Sequence, residues 1–302
     1  MIIDTSLWRS QIEISGICNL KCASCPYSQR NKNLNSFMEM SLFCKIIDDL
    51  KKIKKKSGFV ISLNQFGEET LHPQYLKFLD IISDNKFKLL VSSNSTKFNE
   101  NISRKFIEMG KDNLIDKLQL SLYGVDEESY AKQTGVHLFH RAYENIRKFV
   151  DLYDISNSTF DVELKIIVTK TNSTLISKDK FTKLFNLTEG SNMRIRYRKA
   201  FNWLGTVDEN KTVFPLYCNK IASEMAIFSN GDVSYCCFNC FHHPILGNVK
   251  DNTLEEIWNG KAAMKYRSLW FDGCKKDVPL CNTCDRKGPH PKKDQLVKLE
   301  GN

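Results

Sequence analysis

Cys18, Cys22 and Cys25 lie in one short run, ISGICNLKCASCPYS, with C-x3-C-x2-C spacing. Three thiolates on a single loop form a soft donor set suited to iron–sulfur or zinc chemistry. Zinc usually draws four ligands from two CxxC-type pairs. No fourth Cys or His follows within this loop, so Cys44 would have to complete a zinc site. A [4Fe–4S] cluster held by only three cysteines instead keeps one iron open to a small molecule. A second group follows in the C-terminal third: Cys218, Cys236, and the CxxC pair Cys281 and Cys284. By spacing alone that set is as zinc-like as it is cluster-like. Cys237, Cys240 and Cys274 are each able to replace one of the four, whereas Cys44 is expected to pack in the core. The histidines show no ligand-like spacing. In the run RIRYR, alternation puts Arg194, Arg196 and Arg198 on one face of a strand. Guanidinium forks at the mouth of a site bind carboxylates bidentately, which makes Arg196 and Arg198 candidate catalytic or substrate-orienting groups. Surface ion pairing is their alternative use. Gln65 is a lesser candidate.

The elements that must position these residues are visible in the periodicity. Gln11–Ser15, Phe59–Gln65, Lys88–Ser92, Lys117–Leu122, Asp161–Val168 and Met193–Tyr197 read as six buried strands. Leu42, Phe43, Ile46, Ile47, Leu50 and Ile53 mark one face of a helix, and Phe139, Ala142, Tyr143, Ile146, Phe149 and Val150 another. Pro73 suits the first turn of a third helix. Strand and helix in alternation predict an α/β fold with a parallel sheet, open or curled toward a barrel. Beyond about Ala200 the pattern breaks into short strands and one expected helix over Leu254–Tyr266. The expected domains are residues 1–205, 206–287 and a polar tail, 288–302.

Composition narrows the classes. The chain has 302 residues, 41% of them hydrophobic, enough for a sizeable core. No run approaches the roughly 18 to 20 apolar residues of a membrane span, and no secretory signal is visible, so a cytoplasmic location is expected. In that compartment the 11 cysteines favour metal binding over disulfides. The net charge of +9 is dispersed apart from the lysines at 51–52 and 54–56, which read as a solvated helix face.

In these residues the chain resembles the radical S-adenosylmethionine (SAM) enzymes, whose hallmark is this three-cysteine spacing after the first strand of a partial (β/α)6 TIM-like barrel. Gly67-Glu68-Glu69 looks like the family's Gly-Glu-Pro segment, which holds the SAM amino group, with Glu69 in place of proline. Ser93-Asn94 is similar to the Thr-Asn-Gly stretch near the SAM sugar, and Ser121 to a serine that reaches SAM from the fourth strand. YAKQTG looks like the segment that follows. The family's large residue before the third cysteine, which packs near adenine, is replaced by Ser24, and Tyr27 is expected to fill that space. Each segment follows a successive strand, at the edge where such barrels place their sites. The second cysteine group, with LGNVKDNTLEEIWNG between its members, resembles the SPASM and twitch domains. That resemblance implies a second, auxiliary [4Fe–4S] cluster on Cys218, Cys236, Cys281 and Cys284. No cysteine follows Cys284, which fits the one-cluster twitch layout.

The resemblance implies SAM, two [4Fe–4S] clusters and an external one-electron reductase such as flavodoxin or ferredoxin. The expected reaction is a dehydrogenation. A 5′-deoxyadenosyl radical takes hydrogen from an unactivated C–H, and the auxiliary cluster accepts an electron, as in relatives that oxidise sugar or aminocyclitol hydroxyls. Peptide maturation (thioether, C–C crosslink or epimerisation) is the main rival. The first strand begins close to Met1, which is expected to leave no room for the N-terminal peptide-binding domain of many maturases. Nucleic-acid modification is permitted by the charge but supported by no aromatic-basic motif.

Overall fold

A computed structural model gives the structure; it describes residues 4–168, 178–185, 193–200, 203–207, 218 and 220–284. The expected tail, 288–302, and most of the stretch expected to join the domains lie outside these residues.

Six strands run parallel in the order of the chain: β1 (Leu7–Ile12), β2 (Lys55–Ser62), β3 (Lys88–Ser93), β4 (Ile115–Ser121), β5 (Val162–Val168) and β6 (Met193–Lys199). Between them lie α1 (Met40–Lys52), α2 (Tyr75–Asp84), α3 (Glu100–Lys111), α4 (Glu127–Thr134), α5 (Phe139–Ile155) and α6 (Lys178–Phe185). This is the expected partial (β/α)6 barrel. Its outer layer is apolar: Phe43, Phe78, Phe98, Phe106 and Phe149 are fully buried between helices and strands. Its inner face is polar, with Gln11, Glu13, Ser62, Ser121 and Glu163 all buried.

The C-terminal part adds α7 (Lys220–Ser223), β7 (Glu224–Ile227), β8 (Asp232–Ser234), β9 (Gly247–Asn248), α8 (Leu254–Trp258) and α9 (Lys261–Phe271). β7 pairs in parallel with β1, from Arg9↔Glu224 to Ile12↔Ile227, so one sheet runs through both parts. β8 and β9 continue it antiparallel. Trp258 donates to the Thr5 carbonyl at 2.8 Å, and Asp49 of α1 accepts the Leu254 N–H at 3.1 Å. Arg267 lies buried with its guanidinium 3.9 Å from the Trp258 ring centroid and donates to the Ile221 and Trp258 carbonyls.

Four local expectations need correction. β1 and β2 each end three residues earlier than the apolar runs suggested, because the residues beyond them turn into site loops. The helix expected over Leu254–Tyr266 is two helices, broken where Gly260 takes an extended conformation and caps α9. A side chain there would meet the Glu256 carbonyl at 2.8 Å. Pro73 precedes the helix cap Gln74 rather than lying in the first turn. Cys44 is exposed, since its neighbours Phe43 and Ile47 hold the buried face of α1 and helical phase turns position 44 outward.

Candidate active site

At the C-terminal ends of the parallel strands lies a cavity of about 320 Å³. Its lining includes Cys18, Cys22, Cys25, Gly67, Glu68 and Asn94, which stand apart in sequence on three strand-end loops. The loop carrying the three cysteines is held by its neighbours. Lys21 and Ala23 donate their N–H groups to the Thr134 and Gln133 carbonyls at 2.8 and 3.3 Å. Gln133 donates to Ser24 Oγ at 3.2 Å, and Trp203 Nε1 to the Ser24 carbonyl at 2.8 Å. The YAKQTG segment is therefore the end of α4, stopped by left-handed Gly135 (φ +70°), and it clamps the cysteine loop.

Gly67 approaches the chain just ahead of Cys18 so closely that an added Cβ would lie 1.9 Å from the Ser15 carbonyl oxygen. The next residue, Glu68, donates its N–H to Ile17 at 2.8 Å. The Glu68 carboxylate accepts from Ser93 Oγ at 2.6 Å, Thr70 Oγ1 at 2.5 Å and Asn94 N at 2.7 Å. It thus ties the second strand-end loop to the third. Burial holds its pKa above the ordinary range, against those three hydrogen bonds. Glu69 is also buried, with one oxygen unpartnered, and burial followed by the Glu68 charge pushes its carboxyl well up. Asn94 donates to Asn19 Oδ1 at 3.0 Å and lies 3.9 Å from Cys18 Sγ. Ser121 is buried behind this wall, beside cavity-lining Tyr123. Tyr27 does not line the cavity; its hydroxyl accepts the Cys18 N–H at 2.9 Å while its ring packs near Phe66, Phe228 and Cys240.

Burial first, then Glu68, raises the Cys18 thiol to about 12; burial also lifts Cys22 and Cys25, and Cys22 feels both other sulfurs. Thiols so buried lose protons only to a cation that replaces the lost hydration, which is the environment a metal cluster stabilises.

Cys218, Cys236, Cys281 and Cys284 surround a second, smaller cavity, together with Cys237, Trp270 and Leu280. Tyr235 donates to the Pro279 carbonyl at 2.5 Å and so brings the two cysteine segments together. Among the described residues no three Cys, His, Asp or Glu side chains converge on the position of a single ion. The four thiols line one small cavity. Cys240 is core and Cys274 exposed, and neither lines this cavity.

Arg196 and Arg198 stand on β6 opposite Lys165 and Ile167 of β5, two residues that line the first cavity. Neither arginine lines that cavity itself. Both are exposed on β6, the edge strand among the described residues; Arg196 lies 3.6 Å from Glu163, and Arg194 pairs with Asp161 at 2.6 Å. Arg194 and Arg196 are thus in ion pairs, the alternative use expected for this run. Gln65 does line the cavity.

Sequence reasoning missed the buried bidentate pair of Glu13 and Arg30, at 2.7 and 2.9 Å, five residues past the last cysteine of the loop. Arg30 also lies 2.8 Å from His242 Nε2, whose Nδ1 faces Asp232 at 3.3 Å. No local pattern marks such a chain of contacts. It joins β1, the cysteine loop and the C-terminal part.

Residues 12–162 match the model of the Radical SAM superfamily, and residues 218–285 that of SPASM, an iron-sulfur cluster-binding domain. A tungsten-containing aldehyde ferredoxin oxidoreductase cofactor-modifying protein from Pyrococcus furiosus is 25% identical over 162 residues, covering 53% of this chain and 44% of that one. The chain thus spans less than half of that curated relative. Its structure resembles Streptococcus suis SuiB bound to precursor peptide SuiA, with TM-score 0.66, 16% identity, and 98% and 77% of the two chains covered. It also resembles BtrN in complex with AdoMet and 2-DOIA, with TM-score 0.60, 15% identity, and 92% and 93% covered. At such identities the likeness is one of fold. Among the described residues no helix is long and apolar enough to cross a membrane.

Proposed function

The chain belongs to the radical SAM superfamily and is an iron–sulfur, SAM-dependent enzyme, and from that premise we propose that it dehydrogenates a secondary alcohol of a sugar or aminocyclitol-like substrate. Cys18, Cys22 and Cys25 would hold the SAM-binding cluster, and Cys218, Cys236, Cys281 and Cys284 the auxiliary one. Bound there, these groups supply a 5′-deoxyadenosyl radical and an electron acceptor.

The observation that carries the reading is a shared wall. Lys220, Cys237 and Phe238 line both cavities, so a substrate in the first lies one layer of side chains from the thiols of the second. That closeness suits the removal of an electron from the substrate. The polar groups Gln11, Asn64, Gln65, Ser92 and Lys165 in the first cavity give a polyol many hydrogen-bond partners. Gly67, Glu68, Ser93 and Asn94 form the rigid edge against which SAM would lie, with Ser121 behind it. Trp203 and Phe238, ring centroids 4.9 Å apart, help exclude water from the far side.

The test is anaerobic incubation of the reconstituted protein with SAM, a one-electron reductant (flavodoxin or ferredoxin) and a panel of aminocyclitols and sugars. The expected result is 5′-deoxyadenosine together with a product two mass units lighter. A SuiB-like outcome, with turnover of a peptide and of no alcohol, would replace this reading with peptide maturation.

A further inference from the structure

Lys165 was not marked by any motif, yet it stands on the polar barrel face. It lies on β5 opposite Ser121 of β4, lines the first cavity, and donates to Ser92 Oγ at 2.5 Å. Two other cations line that cavity. Lys220 is held by Glu224 at 2.7 Å, and Arg9 stacks 4.5 Å from the Trp8 ring.

The carboxylates around Lys165 are engaged elsewhere. Glu68 is bound by Ser93, Thr70 and Asn94, and Glu163 by Lys117 at 3.1 Å and Gln119 at 2.7 Å. Glu69 is pushed toward its neutral form; Arg198 adds a like charge, and Arg196, opposite Lys165 in the strand register, lies 3.6 Å from Glu163. Burial, reinforced by Arg198 and opposed by Glu69, Glu163 and Glu68, lowers the Lys165 ammonium to about 8. A lysine so placed is available as an amine near neutral pH.

We propose that Lys165 is the base that accepts the hydroxyl proton of the substrate, a role that rests on the alcohol-oxidation reading above. The substrate O–H bond breaks, its electron pair stays on oxygen, and the proton forms ammonium at Lys165 Nζ. The carbon-bound hydrogen leaves to the 5′-deoxyadenosyl radical and the remaining electron to an iron–sulfur centre. Deprotonation places negative charge on the oxygen of the carbon radical, and the electron then departs more readily.

Two measurements on the holoenzyme test this. Reductive methylation with ¹³C-formaldehyde gives each lysine a dimethylamine signal, and the one lost in Lys165→Arg belongs to Lys165. Its titration midpoint should lie near 8, against about 10.4 for an ordinary lysine; a midpoint above 10 overturns the proposal. With an alcohol that the wild type oxidises, the ratio of product to 5′-deoxyadenosine should fall at least ~100-fold in both Lys165→Arg and Lys165→Met. The wild-type kcat/KM should rise with pH up to about 8 and then level, a limb the variants lack. Wild-type product yield in Lys165→Arg, where charge remains but no proton is released, overturns the base role while leaving alcohol oxidation intact. Loss of SAM affinity in both variants with an unchanged ratio overturns it too, making Lys165 an anchor for SAM. If the wild type oxidises no alcohol, the reading beneath the proposal fails and the proposal with it.

Discussion

The two cysteine sites of this molecule are built in opposite ways. The first three cysteines come from one loop, which the fold holds from outside through the end of α4, Trp203, Tyr27 and the close approach of Gly67. The other four come from three separated segments, and these do part of the holding themselves. A ligand loop embedded in a finished scaffold can lose its metal and keep its shape. A pocket that gathers distant segments couples metal binding to folding.

That contrast is open to direct tests. The largest effect is expected from Cys22→Ala. It should abolish SAM cleavage, cut bound iron from about eight to about four per chain, and leave the melting temperature nearly unchanged. Cys281→Ala should cut iron equally but lower the melting temperature by several degrees, with SAM still cleaved and little oxidised product formed. Equal thermal shifts in the two variants would break the comparison, and iron loss in Cys237→Ala but not Cys236→Ala would reassign a ligand. Next comes Arg30→Met, which leaves Glu13 as a buried charge without its partner. Chemical denaturation should show a loss of about 3–5 kcal/mol. A loss below about 1 kcal/mol would mean that the link between the two parts contributes little to stability. Gly67→Ala should cost about 1–3 kcal/mol through overpacking against Ser15, and SAM affinity measured by equilibrium dialysis should fall with it. The smallest effect belongs to Arg196→Lys. Arg196 is about half exposed and lies 3.6 Å from buried Glu163. So loose a pair is worth about 1 kcal/mol; stability should fall by no more than that, and turnover should stay within about fivefold of wild type. A tenfold loss of turnover would restore Arg196 to the chemistry.

Much of the barrel was legible because its code is local. Apolar runs marked the six barrel strands but not β7, which joins the same sheet in parallel, and helical periodicity marked α1 and α5. Strand ends were less legible. Ile14 and Leu63 are buried like strand residues, but they lie in loops that turn toward the site. The arginine run shows the same limit from another side. Alternation put Arg194, Arg196 and Arg198 on one face, but it carried no information on which residues of β5 that face would meet, namely Glu163, Lys165 and Ile167.

The sequence by itself determined how the thiols are grouped along the chain, because their spacing on a loop is a property of the covalent chain. It also determined the strand–helix rhythm that sets a parallel sheet. Only the tertiary structure decided that β7 joins β1, that the end of α4 clamps the cysteine loop, and that Glu13, Arg30 and His242 meet in the interior. It alone placed Lys165 among engaged carboxylates at the cavity wall. These are contacts between residues tens to hundreds of positions apart. Their energies come from desolvation and packing, which exist only once the strands are assembled.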